Sequence, residues 1–189
     1  NRTAPIFGHL PLILNADRTK LSKRTSTVSV SDFLQDYLPE ALINFIGFLG
    51  YTYSKEIISK EEMAEEFDIT KVHKSGAIFD IKKLNWINAQ YVRKMSPAEF
   101  KKVIKMPELS DLAVPLITER LEKLSDVNNF SYLWQEPSYD PELLTWKNTS
   151  KDQIFEFLNK SKSVIEANDV LDRDVLRIEL DRISDGNRG

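Results

Sequence analysis

Lys20, Lys23 and Arg24 stand within one pentapeptide, Lys20-Leu21-Ser22-Lys23-Arg24. Two ammonium groups three residues apart on a loop can close on a polyphosphate from one side, each offering three donors and a full charge. The stretch from Asn15 to Arg24 also holds Arg18, against the single acid Asp17. It has no apolar periodicity, which predicts an exposed, mobile loop. An ordinary solvated basic loop has the same composition, and short Lys/Arg clusters also mimic localisation signals. The surrounding sequence has to separate these readings.

Composition narrows the chemistry. The 189 residues contain no cysteine, so disulfides, thiolate metal sites and thiol nucleophiles are excluded. The six glycines form no glycine-rich phosphate loop, and no metal-ligand spacing occurs, so no metal held by protein ligands is expected. A net charge of −3 rules out binding nucleic acid by bulk positive charge, which leaves local patches. The apolar run Ile6 to Leu14 is broken by Gly8, His9 and Pro11, and it reads as neither a signal peptide nor a membrane span.

The elements that must hold the loop follow from spacing. Ile6 to Leu14 is nearly continuously apolar and too short for a core helix, which predicts a short buried strand leading into the basic loop. Ser29 and Asp32 have capping-box spacing, so a helix is expected from Ser29. A second opens at Pro39 and turns Leu42, Phe45, Ile46 and Leu49 to one face before Gly50. Further helices are expected over 59–67, from Asp80 to about Lys94 with Leu84, Ile87 and Tyr91 inward, over 97–105, and over 111–124. Trp86 and Tyr91 sit in an apolar helical context that favours core over base stacking. Gln135 to Asn148 reads as an ordered loop with one helical turn. Ser150 with Gln153 caps a helix whose core face is Ile154, Phe157, Leu158 and Ile165, and a last helix spans about 170–183. The class is mainly α.

The string FGHLPLILNADRTKLSKR, Phe7 to Arg24, resembles the strand and KMSKS-type signature loop of bacterial-type glutamyl-tRNA synthetases, class I enzymes. The likeness continues through YLPEALINFIGFLGY (Tyr37 to Tyr51) and KSGAIFDIKKLNWINAQYVRKMS (Lys74 to Ser96). It weakens into PLITERLEKLSD (Pro115 to Asp126) and EPSYDPELL (Glu136 to Leu144). Three separated blocks in the right order oppose a chance motif on a helical protein-interaction domain, and the KLSKR loop, built for ATP phosphates, argues against the alternative of a stand-alone non-catalytic helical tRNA-binding module. A glutaminyl enzyme shares the catalytic half but carries β-barrels afterwards, which the helical pattern beyond residue 100 opposes.

The resemblance implies a layout and a reaction. Residues 1–29 would be the end of a Rossmann catalytic domain, otherwise missing here. Residues 30–105 would be a helical stem-contact domain, and residues 106–189 the N-terminal part of an all-α anticodon-binding domain. Glutamate would attack ATP to give glutamyl-adenylate and pyrophosphate, and the tRNA would then take the glutamyl group. Lys23 and Lys20 would be catalytic. Lys20, Leu21, Ser22, Lys23 and Arg24 would bind ATP, with His9 and Leu10 beside the adenine, although His9 is equally readable as a packed strand histidine. Lys71, Lys74, Lys82, Lys83, Arg93 and Lys94 would grip tRNA phosphates, or else form a solvated helix face. The expected partners are ATP with magnesium, glutamate, and the glutamate tRNA, with the glutamine tRNA as a second candidate. A cytoplasmic monomer is expected, and this stretch alone is expected to be inactive, because the family's HIGH-type sequence is absent from it. Thr25-Ser26-Thr27 also departs from the residue and glycine that often follow KLSKR in the family.

Overall fold

The computed structural model describes residues 4–5, 7–22, 29–145, 149–167 and 172–184. Lys23, Arg24, Ile6, Trp146 and the expected start of the last helix at Val170 lie outside the described residues. The chain divides into two compact units, Asn1–Glu136 and Pro137–Gly189. Both are mainly helical, as the spacing predicts, and among the described residues one sheet of two short strands occurs, in the first unit.

In the first unit the helices start where local chemistry supplies amide acceptors. Helix α1, Val30–Asp36, follows Ser29, but the expected capping box is absent, because the Ser29 hydroxyl pairs with the Ser31 hydroxyl at 2.5 Å. Helix α2, Pro39–Phe48, opens on proline, whose fixed φ suits a first turn. Ser59 and Glu62 form a full capping box for α3, Lys60–Glu66. Strand β1 is Ile13–Leu14 and β2 is Ala77–Ile78. Asp80 accepts from the amides of Lys82 and Lys83 at the start of α4, Ile81–Val92. A second complete box, Ser96 with Glu99, opens α5, Pro97–Ile104, which ends on Lys105 at φ 58° where glycine is usual.

Helix α6 is shorter than the expected 111–124 and covers Ala113–Thr118. The break has a local cause. The Asp126 carboxylate accepts from the amides of Glu122 (3.2 Å) and Lys123 (2.8 Å), and this starts a fresh run of 3-10 turns over Leu124–Leu133. Leu121, at the break, is fully buried, so the chain turns without giving up its core anchor.

The core forms where α2 lies on α4. Ala41, Leu42 and Phe45 meet Leu84, Ile87 and Val92, and Phe100, Ile117 and Leu121 extend the cluster to Phe130. Each large apolar side chain so buried contributes about 1.5–3 kcal/mol relative to exposure. The cluster runs unbroken across residue 105. Two buried asparagines cross-link it. Asn88 accepts from the Leu38 amide at 2.9 Å and donates to the Glu122 carbonyl at 2.7 Å. Asn44 accepts from the Ile58 amide at 3.2 Å, and its Oδ1 also lies 3.2 Å from the Tyr91 hydroxyl oxygen.

The second unit pairs α7, Lys151–Glu166, with α8, Arg173–Ser184. Ser150 and Gln153 form the expected box. Of the expected core face, Ile154 and Phe157 are half-buried while Leu158 and Ile165 are exposed. The expected turn in the preceding loop is a 3-10 turn at Pro141–Leu144.

Candidate functional site

Asn15 to Ser22 is not the loose loop that its composition predicts. Asp17 accepts from the Thr19 amide at 2.9 Å and its hydroxyl at 2.6 Å. These bonds hold the Asp17 carboxyl below its ordinary pKa. Arg18 donates its amide to the Asn15 carbonyl at 2.9 Å and sits at φ 65°, and the Asn15 amide returns to the Thr19 carbonyl at 2.8 Å. The chain then doubles back. Lys20 bridges Leu14 in antiparallel fashion, and the Leu21 amide donates to the Ile13 carbonyl at 3.0 Å. The signal was present in the turn-forming residues Asn15, Asp17 and Thr19, whose short polar side chains bond their own backbone, but the basic residues masked it.

The other edge of β1 is paired too. It runs parallel to β2, Ile13 opposite Ala77 and Leu14 opposite Ile78, and the Phe79 amide donates to the Leu14 carbonyl at 2.8 Å. Gly76 is required for that approach, since a Cβ there would stand 2.9 Å from the Leu14 side chain and 3.0 Å from the Leu12 carbonyl. Lys20 is thus carried on a backbone bonded through β1 to β2 and Phe79, which lead into α4.

Upstream of Ile13 the expected buried strand is not formed. β1 has two residues, and Phe7, Leu10 and Leu12 are exposed, because no second sheet layer covers them among the described residues. His9 is exposed as well, so it is not a packed strand histidine. Lys20 is exposed, and Leu21 and Ser22 are half-buried. Lys23 and Arg24 lie outside the described residues.

The six expected phosphate-gripping cations fall on three stretches. Lys71 ends a 3-10 turn, Ile69–Lys71, and pairs with Asp68 at 3.7 Å. Lys74 is exposed in the next loop. Lys82 and Lys83 open α4, whereas Arg93 and Lys94 follow its end, about 16 Å along the axis at 1.5 Å per residue. Lys83 pairs with Glu56 and lies 4.2 Å from the centre of the Trp86 ring. Arg93 donates to the Glu119 carbonyl at 2.9 Å. Lys82 and Lys94 are exposed. Exposed pairs such as Lys71–Asp68 are worth at most about 1 kcal/mol.

Trp86 is 38% exposed, against the core expectation, because its ring is a platform for Lys83. Tyr91 is half-buried as expected, its hydroxyl donating to the Ile58 carbonyl at 2.9 Å. Among the described residues, no helix is long and apolar enough to cross a membrane.

Comparison with known proteins places this arrangement. Residues 1–86 match the family of class I tRNA synthetases (E and Q), catalytic domain. A glutamate–tRNA ligase from Psychrobacter cryohalolentis is 38% identical over 166 residues, covering 83% of this chain and 33% of that protein. One from Dehalococcoides mccartyi is 34% identical over 185 residues, covering 87% of this chain and 38% of its own length. A crystal structure of a glutamate tRNA ligase from Elizabethkingia meningosepticum in complex with its amino acid superposes with a TM-score of 0.73 at 30% identity, covering 97% of this chain and 42% of that one. The chain thus spans little more than a third of the length of these curated relatives. Along most of its length, and in a fold that includes the helices after the KLSKR string, the chain is similar to class I glutamate–tRNA ligases.

Proposed function

We propose that this chain is the part of a glutamate–tRNA ligase that holds the phosphates of ATP and supports the tRNA while glutamate is activated. The glutamate carboxylate attacks the α-phosphorus, forming a new O–P bond as the bond to pyrophosphate breaks. The terminal ribose hydroxyl of the tRNA then attacks the acyl carbon and AMP leaves. Negative charge accumulates on the departing pyrophosphate, and fixed cations beside it stabilise that charge more than they stabilise ATP itself. Lys23 takes this role, Lys20 assists, and Ser22 and Arg24 complete the loop, with His9 and Leu10 towards the adenine. Magnesium arrives on ATP.

The observation that supports this reading is the tethering of Lys20: the backbone of the KLSKR string is bonded to β1, and β1 to β2 ahead of α4. A loop lysine so held keeps its charge where phosphates dock instead of sweeping solvent. Residues 30–105 serve as the stem-contact part, in which Lys71, Lys74, Lys82, Lys83, Arg93 and Lys94 touch tRNA phosphates without reading sequence. Residues 106–189 begin the anticodon-binding part. The glutamate tRNA is the partner, the glutamine tRNA a second one in enzymes that misacylate, and the working protein is a cytoplasmic monomer.

The test is Lys23→Ala in the complete synthetase that carries this chain. ATP–pyrophosphate exchange is expected to fall about 100-fold or more, as on loss of a contact made mainly in the transition state, with the Kd for tRNA little changed. An unchanged exchange rate would sink the assignment.

A further inference from the structure

We propose that Leu21, the apolar residue inside the basic pentapeptide, is a positioning residue that fixes the phosphate-binding loop to the helical part of the molecule. The proposal rests on the ATP-loop reading above and deepens it.

An apolar cleft of about 300 Å³ lies beneath the loop in the first unit. Leu21 and Ile13 form one wall, Val30 and Phe33 of α1 a second, and Leu42, Ile46 and Leu49 on and just after α2 a third, with Phe79 closing it before α4. Leu21 is half-buried while its neighbour Lys20 is exposed. The backbone fixes that difference, since the Leu21 amide is bonded to Ile13 and Lys20 bridges Leu14. A one-residue slip would turn Lys20 into the cleft and Leu21 into solvent, so register and side-chain chemistry enforce each other. Leu21 therefore faces the cleft rather than ATP. It acts through the lysines on either side of it, and Lys23 is two residues further along the chain. The cleft walls belong to α1 and α2, whose Phe33 and Leu42 also meet the core cluster, so the loop's place is referred to that cluster.

The experiment is a double-mutant cycle in the complete synthetase, read by ATP–pyrophosphate exchange and by tRNA binding. Leu21→Ala is expected to lower kcat for exchange about tenfold, as small misplacements of a catalytic group do. The KM for glutamate and the Kd for tRNA should hold within about twofold, since neither ligand meets Leu21. Leu21→Met, which keeps the volume, should restore most of the rate. In a Lys23→Ala background, Leu21→Ala should cost clearly less than in the wild type, because the share that acts through Lys23 is already lost and only that through Lys20 remains. Leu21→Val keeps the cleft apolar and gives the same comparison where Leu21→Ala unfolds. Losses that multiply across the cycle, or a wild-type kcat in both Leu21→Ala and Leu21→Val, would overturn the proposal while a slow Lys23→Ala enzyme leaves the ATP-loop reading standing. Full exchange in Lys23→Ala would remove that reading and the role of Leu21 with it.

Discussion

Phe100 and Phe155 both sit on amphipathic helices opened by a serine capping box, and they meet opposite fates. Phe100, in α5, is fully buried, whereas Phe155, in α7, is 66% exposed. The difference extends to their units. The first collects a continuous cluster from Tyr37 to Phe130 around the α2–α4 contact. In the second, α7 has no buried residue, and Leu158, Ile165 and Ile178 show about half their surface. The same local code, Ser-x-x-Glu or Ser-x-x-Gln before an apolar period, starts helices in both. Capping is enough to begin a helix, but most helical stability comes from burying its apolar face.

The contrast can be broken most directly at the two phenylalanines. Phe100→Ala should lower the unfolding free energy by about 3–5 kcal/mol through lost burial and the cavity left behind. Phe155→Ala should stay within about 0.5 kcal/mol, as exposed substitutions do. Chemical denaturation of the two variants decides, and equal losses would mean that α7 is held by packing comparable to that of α5. A smaller effect is expected at Asn88→Ala, which orphans the Leu38 amide and the Glu122 carbonyl. A loss of about 1–3 kcal/mol should follow, with faster hydrogen exchange at Leu38. Retained protection there would show that the asparagine is not a clamp.

The mildest effect concerns Tyr37, whose hydroxyl donates to Asn85 at 2.7 Å. Burial first, then the nearby Asp36, Asp126 and Glu122 charges, push its phenol up to about 12 from 10.0. The folded state therefore keeps its proton longer than the unfolded chain. The first unit's stability should be undiminished by this group below pH 10.0 and should fall as the pH rises from there towards 12. Tyr37→Phe should flatten that alkaline slope in thermal unfolding. A slope unchanged by the substitution would place its cause elsewhere.

Much of the fold was legible residue by residue. Pro39, Asp80, and Ser150 with Gln153 announce helix starts that the structure contains, because a cap is chemistry within one turn. Ser29 with Asp32 had the same spacing and did not close a box, since Ser31 offered its hydroxyl a nearer partner. The helix expected over 111–124 was cut short by Asp126, a competing cap that spacing alone does not rank. For the candidate site, the pentapeptide and its order among the matching blocks were readable, whereas the turn at Asn15–Thr19 and the standing of Trp86 as a platform for Lys83 were not.

What the sequence by itself determined is therefore chemical and local: which residues carry charge, where helices begin, and which family the strings resemble. Only the tertiary structure decided that Lys20 is bridged to a strand itself paired along both edges, that Leu21 faces an apolar cleft, and that Phe100 is core while Phe155 is surface. The reason is distance along the chain. Ile13 meets Ala77, and Leu38 meets Asn88, through contacts whose partners lie dozens of residues apart, and no periodicity within a single helix or strand encodes that meeting.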